Sequence, residues 1–128
     1  MAGNTGRHTV LVIDDDLLYR QTLQDILSDG GYRVFGVENG NDGLKFAAAN
    51  AVDLIVCDLL MPEKEGIETI IELRRSRPDT KIIAVSGGGM FQPDRQLHAA
   101  RQLGADAALA KPIRSAELLE LAASLLAE

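Results

Sequence analysis

Residues 53–62 read DLIVCDLLMP, an apolar run that ends at Asp58. A short apolar run rich in branched side chains, without polar alternation, is typical of a strand buried on both faces of a parallel sheet. Two similar runs lie elsewhere in the chain: Val10–Ile13 precedes three aspartates, Asp14 to Asp16, and Lys81–Val85 precedes Ser86. The sequence therefore predicts several buried strands, each of which ends at a polar side chain.

The segments between these strands have helical periodicity. Further strands are predicted at Tyr32–Val37 and, more weakly, at Ala107–Ala110. Apolar spacing and capping residues predict helices at Leu18–Leu27 (ending at Gly30-Gly31), Leu44–Ala49 (after a capping turn at 39–43), Ile67–Arg74, a segment through Leu97, Ala100 and Leu103, and a last helix with Ser115 as its N-cap. Five alternations of strand and helix predict an α/β fold, doubly wound, with helices on both faces of a parallel sheet.

Length and composition favour one soluble domain. The chain has 128 residues, 46% apolar and 25% charged, with a net charge of −6 and one cysteine. The negative charge argues against direct nucleic-acid binding, and neither a membrane span nor a signal peptide is found in the sequence. We expect residues 1–8 to form a flexible tail and residues 9–128 one cytoplasmic domain with no output domain.

Polar residues at the strand ends predict one shared site. In an open parallel sheet, functional groups gather at the carboxyl ends of the strands. Two like charges about 4 Å apart at an effective dielectric near 20 repel by about 4 kcal/mol, so Asp14, Asp15 and Asp58 need cations. Lys111, after the last strand, supplies one charge, and a hard divalent ion such as Mg²⁺ suits the remainder.

Such a site has the chemistry for phosphoryl transfer. The Ser86 hydroxyl and the Gly87 amide can bind phosphoryl oxygens, and the Asp58 carboxylate can act as nucleophile. Taken singly, these residues have simpler interpretations: Asp14 to Asp16 could cap a helix, Asp58 and Ser86 could be turn residues, and Lys111 could lie on the surface.

Taken together, the motifs resemble bacterial response-regulator receiver domains of the chemotaxis-regulator type, from about Thr9 to Leu126. The matching segments are VLVIDD (10–15), DLIVCDLLMP (53–62), IIAVSG (82–87), GAD (104–106) and LAKP (109–112). The resemblance implies a flavodoxin-like five-stranded sheet in the order 2-1-3-4-5 with five helices. It also implies a stand-alone phosphorelay protein in a two-component system.

The resemblance assigns a role to each acidic residue. Asp58 would accept a phosphoryl group from a histidine kinase or a histidine phosphotransfer protein. Asp15, Asp58 and the backbone carbonyl of Leu60 would ligate Mg²⁺ (or Mn²⁺), with Asp14 acting mainly through a bound water. The protein would not be an enzyme beyond self-catalysed phosphotransfer and aspartyl-phosphate hydrolysis.

The remaining implied roles concern the phosphoryl oxygens and the switch. Ser86 and Gly87 would bind a phosphoryl oxygen, Lys111 would bridge to Asp58, and the Lys111–Pro112 bond would be cis. The family usually has Tyr or Phe three residues before the lysine, where this chain has Ala108. We therefore hypothesise that switching has moved to the glycine-rich loop 87–93, with Phe91 replacing the missing aromatic.

Two other functions stay open at this stage. The domain could be a receiver-like binding module that is never phosphorylated, for which Ala108 argues mildly. It could also be a small Mg²⁺-dependent phosphohydrolase, but such enzymes commonly carry an aspartate where this chain has Leu60. The expected partner surface is the face formed by the fourth helix, the fifth strand and the fifth helix, with an unknown downstream protein or a second copy as the partner, and neither nucleic acid nor membrane.

Overall fold

The structure is a computed structural model that describes residues 7–59, 65–87, 98 and 101–127. The strands are β1 (Thr9–Ile13), β2 (Arg33–Val37), β3 (Leu54–Asp58), β4 (Lys81–Ser86) and β5 (Ala107–Ala110). The helices are α1 (Leu17–Asp29), α2 (Gly40–Ala49), α3 (Glu65–Ser76), α4 (of which residues 98 and 101–103 are described) and α5 (Ser115–Leu126). None of the described helices is long and apolar enough to cross a membrane.

The five strands form one parallel sheet in the order β2-β1-β3-β4-β5, which confirms the predicted fold. The register aligns Val12 with Val56, Val56 with Ile83, and Val85 with Leu109. The carboxyl ends of β1, β3, β4 and β5 therefore lie side by side. We call this end of the strands the carboxyl edge of the sheet, and the end where the strands begin the amino edge. Because the strand order reverses direction between β1 and β3, a crevice for functional groups opens at this point.

Two apolar layers cover the two faces of the sheet. Leu11 and Ile13 belong to one buried cluster, and Val10 and Val12 belong to the other, because successive strand side chains point to opposite faces. All four side chains are fully buried. Burial on both faces explains why β1 is apolar throughout Val10–Ile13 instead of alternating between apolar and polar residues.

The structure corrects two predicted helix starts. The second helix begins at Gly40 and not at Leu44, because Asn39 caps it by accepting a hydrogen bond of 2.8 Å from the N–H of Asp42. Ser115 is the first residue of α5 and not its N-cap, a position taken by Arg114 without a side-chain capping bond. The predicted glycine stop of α1 is confirmed: Gly30 is the C-cap, and Gly31 has a φ of 100°.

Candidate functional site

Asp58 is the last residue of β3 and is buried, with 4% of its surface exposed. The next residue, Leu59, donates its N–H to the carbonyl of Val85 at 2.7 Å, so the chain leaves the sheet alongside β4. The start of α3 then packs against this exit: a Cβ at Gly66 would overlap the backbone oxygen of Asp58. Glycine is needed here because the two backbones approach too closely for a side chain.

Two acidic residues after β1 face Asp58. Asp14 is buried and Asp15 is exposed, and one carboxylate oxygen of each lies within 4.8 Å of one of Asp58. Oδ1 of Asp14 accepts a hydrogen bond of 2.9 Å from the N–H of Asp16. Oδ2 of Asp14 is buried and accepts no hydrogen bond from any residue in the described part of the chain. The structure thus brings together the three carboxylates that the strand ends predicted.

Lys111 reaches this acidic cluster from the end of β5. Its Nζ donates a hydrogen bond of 3.2 Å to Oδ2 of Asp58 and lies 3.6 Å from Oδ2 of Asp14. The N–H of Lys111 donates to the carbonyl of Ser86 at 2.9 Å, which keeps the lysine beside the end of β4. The peptide bond between Lys111 and Pro112 is cis.

Ser86 and Gly87 border the same crevice at the end of β4. Ser86 is buried, and its Oγ has no hydrogen-bond partner among the described residues, while Gly87 follows in an exposed position. Ala108 is half-buried in β5 and packs against the core cluster that contains Leu11. Leu60 and the loop residues from 88 to 97, including Phe91, lie outside the described residues.

Burial and charge set the protonation of two groups in the site. Burial raises the pKa of the Asp14 carboxyl above its usual value; the hydrogen bond from Asp16 opposes this rise, and the nearby charge of Asp58 adds to it. Burial alone would lower the pKa of Lys111, but the carboxylates of Asp58 and Asp14 raise it above its usual value. Lys111 therefore keeps its proton more firmly than a free lysine does, and Asp14 gives up its proton less readily than a free carboxyl does.

The donor set fits a hard divalent cation. Asp14, Asp15 and Asp58 offer only oxygen ligands, which Mg²⁺ prefers and Mn²⁺ also accepts. These three carboxylates together with the Lys111 ammonium carry a net negative charge. The buried Oδ2 of Asp14, with no described hydrogen-bond donor, is an acceptor that a cation or a bound water would satisfy.

Residues 10–123 match the family described as the response regulator receiver domain. The chain is 34% identical over 111 residues to a response regulator receiver protein from Anaeromyxobacter sp. (strain Fw109-5), and 33% identical over 110 residues to the response regulator MprA from Mycolicibacterium vanbaalenii. These alignments cover 87% and 86% of this chain. The chain therefore belongs to the response regulator receiver domain family, a class of two-component signalling modules.

Solved structures agree with this assignment. A CheY-like receiver domain protein from Methanospirillum hungatei JF-1 superposes with a TM-score of 0.84 at 27% identity, covering 94% of both chains. The Vibrio cholerae chemotaxis protein CheY4 also has a TM-score of 0.84 at 27% identity, covering 94% of this chain and 100% of that one. The chain spans only 45% and 46% of the two curated relatives named above.

The structure also shows contacts that strand-end reasoning missed. Tyr19 places its ring over the Lys111 ammonium, and Arg20 donates a hydrogen bond of 2.8 Å to the carbonyl of Asp14. Both residues lie in the first turns of α1, whose apolar spacing predicts a helix but does not predict a contact with the site. The capping alternative is confirmed for Asp16, which accepts a hydrogen bond from the N–H of Tyr19. Asp14, in contrast, points one carboxylate oxygen toward Lys111.

Proposed function

We propose that the chain is a phosphoacceptor in a phosphorelay, and that Asp58 takes the phosphoryl group from a histidine kinase or a histidine phosphotransfer protein. The observation that carries this proposal is the convergence on Asp58 of two further carboxylates and the Lys111 ammonium at the carboxyl edge of the sheet. A buried carboxylate kept beside an ammonium and a cluster of oxygen ligands is suited to phosphoryl transfer, which depends on positioning and charge neutralisation.

The transfer itself is a displacement at phosphorus. A carboxylate oxygen of Asp58 forms a bond to phosphorus as the bond from phosphorus to the donor's imidazole nitrogen breaks, and the imidazole nitrogen gains a proton. The Lys111 ammonium, 3.2 Å from Oδ2 of Asp58, is close enough to contact a phosphoryl oxygen on that carboxylate. The Oγ of Ser86 and the N–H of Gly87, at the end of β4, would donate to a second oxygen.

Asp14, Asp15 and Asp58, with the carbonyl of Leu60, would hold the Mg²⁺ or Mn²⁺ ion. When bound, this ion would neutralise charge on the phosphoryl oxygens. Oδ1 of Asp14 accepts the hydrogen bond from the N–H of Asp16. Oδ2 of Asp14 is therefore directed toward Lys111 and is available to the ion or to its water.

A small phosphodonor tests the proposal directly. The chain is incubated with Mg²⁺ and acetyl phosphate, and intact mass spectrometry follows the gain of one phosphoryl group. We expect the gain in the wild type, its complete loss in Asp58→Asn, and its retention in the control Asp53→Asn, in which the altered aspartate directly precedes β3 at the opposite end of the strand. Failure of the wild type to gain mass or to bind beryllofluoride would instead support an unphosphorylated binding module.

The face formed by α4, β5 and α5 is the surface that we propose for signalling. It contains a groove of about 480 Å³, which is lined by Ala107, Ala108 and Leu109 of β5 and by the charged residues Arg101, Glu117 and Glu120. Because position 108 lines this groove and is alanine, no aromatic ring from that position fills it. The signal would pass from this face by contact with a downstream protein or a second copy, or the phosphoryl group would be relayed onward.

Beryllofluoride separates two of these outputs. If the face joins two copies, we expect beryllofluoride and Mg²⁺ to increase the sedimentation coefficient of the wild type, and Glu117→Arg to reduce this increase. An unchanged coefficient would exclude a homodimer as the output and leave contact with another protein or phosphoryl relay.

A further inference from the structure

Tyr19 connects α1 to the phosphoacceptor site through two contacts of one side chain. The Lys111 Nζ lies 4.2 Å from the centroid of the tyrosine ring, over its face. The hydroxyl oxygen of Tyr19 accepts a hydrogen bond of 3.1 Å from the N–H of Ile113. One side chain therefore holds both the ammonium of Lys111 and the backbone two residues further along.

The backbone of Tyr19 is itself anchored. Its N–H donates to Oδ1 of Asp16, the N-cap of α1, at 3.1 Å, and the ring is half-buried against the core cluster that includes Val10 and Val12. Asp16 directly follows Asp14 and Asp15. The position of the ring relative to the acidic cluster is thus set by the same turn that places the carboxylates.

A lysine needs such support because its four-carbon stem has many rotamers. The attraction of the carboxylates alone permits the ammonium to move among Asp14, Asp58 and water. The electron-rich face of a tyrosine ring adds a further electrostatic attraction to those of the ion pairs. The contacts of Lys111 with Tyr19, Asp58 and Asp14 together favour one position.

We propose that Tyr19 is a positioning residue for phosphoryl transfer: its ring holds the Lys111 ammonium beside Asp58, and its hydroxyl holds the loop that carries Lys111. This inference rests on the proposed function of Asp58. It assigns to α1 a contact between the reaction site and the loop before α5, and it requires no aromatic side chain at position 108.

Two variants separate the two contacts, and Tyr32 supplies the control. Tyr19→Phe keeps the ring and removes the hydroxyl acceptor, whereas Tyr19→Leu removes both. Tyr32, the other tyrosine of the chain, is also half-buried against the same core cluster. It directly precedes β2 and therefore lies at the amino edge, away from the site. Tyr32→Leu therefore reproduces the loss of ring packing without touching the site.

The first measurement does not depend on phosphorylation. In the wild type, NMR should show the Lys111 Hε protons shifted upfield by the tyrosine ring current and the Ile113 amide protected from exchange. We expect Tyr19→Phe to keep the upfield shift and to speed Ile113 exchange by about fivefold, the equivalent of one hydrogen bond. Tyr19→Leu should lose both signatures, and Tyr32→Leu should keep both.

The second measurement is the rate of phosphoryl uptake from acetyl phosphate with Mg²⁺. We expect Tyr19→Leu to slow uptake by about threefold to fivefold, the range of a partly exposed cation–π contact. Tyr19→Phe, which keeps the ring but loses the hydroxyl contact, should slow uptake less than Tyr19→Leu does, and Tyr32→Leu should match the wild type. This order distinguishes positioning of the ammonium from general packing.

The outcomes separate the two proposals. If the wild type takes up no phosphoryl group, the proposed function fails, and the role of Tyr19 in phosphoryl transfer fails with it even if the NMR contacts are present. If the wild type is phosphorylated but the Lys111 upfield shift is absent, or Tyr19→Leu reacts as fast as Tyr32→Leu, only the role of Tyr19 is overturned.

Discussion

Charged side chains are paired differently at the amino edge and at the carboxyl edge of the sheet. At the amino edge, Arg74 forms an ion pair of 2.7 Å with Asp106, whose Oδ2 also accepts the N–H of Ile82 at 2.8 Å. The other donors of the Arg74 guanidinium reach three backbone carbonyls, those of Gly104, Pro78 and Thr80, at 2.7–3.0 Å. The guanidinium thus joins α3 to the starts of β4 and β5.

At the carboxyl edge, carboxylates cluster, and two buried polar atoms have no described hydrogen bond. Asp14, Asp15 and Asp58 lie together, and both Oδ2 of Asp14 and Oγ of Ser86 accept no hydrogen bond from the described residues. Buried polar groups are normally satisfied because an unpaired one is costly. The amino edge therefore stabilises the fold, whereas the carboxyl edge keeps buried polar atoms without a described hydrogen bond, at the expense of stability. Under the proposed function, these atoms would meet a cation and a phosphoryl group.

Arg74→Met should have the largest effect on stability. It removes the donor from three carbonyls and from Asp106, and we expect the free energy of unfolding to fall by about 2–3 kcal/mol in urea denaturation. Arg75→Met is the matched control on the same helix, because Arg75 makes only an exposed pair with Glu72 at 3.4 Å and should change stability by less than about 0.5 kcal/mol. Equal effects of the two variants would contradict the role given to the amino edge.

Gly66→Ala should have the next largest effect on stability. It tests how closely the start of α3 packs against the end of β3. The added methyl group would overlap the backbone of Asp58 and Leu59, which cannot move as easily as a side chain. We expect a loss of about 2 kcal/mol in the free energy of unfolding. An unchanged midpoint of urea denaturation would show that α3 does not press on the exit of β3.

Asp14→Asn should act in the opposite direction. The amide keeps the acceptor for the N–H of Asp16 and removes a buried charge beside Asp58. We therefore expect the free energy of unfolding of the metal-free chain to rise by about 1 kcal/mol. The same variant should bind Mg²⁺ more weakly in a titration. Asp15→Asn, at an exposed position, should leave metal-free stability nearly unchanged, and a loss of stability in Asp14→Asn would refute the contrast between the edges.

The smallest expected effect comes from a pair of hydroxyl removals. Ser86→Ala deletes a buried hydroxyl without a described partner, and we expect the free energy of unfolding to rise by about 0.5 kcal/mol. Thr80→Val deletes a buried hydroxyl at the amino edge that donates to the carbonyl of Val52 at 3.1 Å. This variant should lower the free energy of unfolding by about 1 kcal/mol. Thermal unfolding of both variants measures the difference, and shifts of the same sign would remove the distinction.

Much of the fold and site could be predicted because both depend on local pattern. Apolar runs predicted the strands, and the rule that functional groups gather at carboxyl ends led to Asp58 and Lys111. The contact between Tyr19 and Lys111 could not be predicted, because the ring meets the lysine only after β1, α1 and β5 are packed together. The network of Arg74 could not be predicted either, since its partners lie up to 32 residues away in sequence.

The sequence by itself determined which strands are buried, where each strand ends and which polar side chain stands there, because these features depend on composition and period. Only the tertiary structure decided that Oδ2 of Asp14 is left without a described hydrogen-bond donor, and that Tyr19 covers the ammonium of Lys111. Both depend on distances between elements that are far apart in the chain, and such distances exist only after the helices pack onto the sheet.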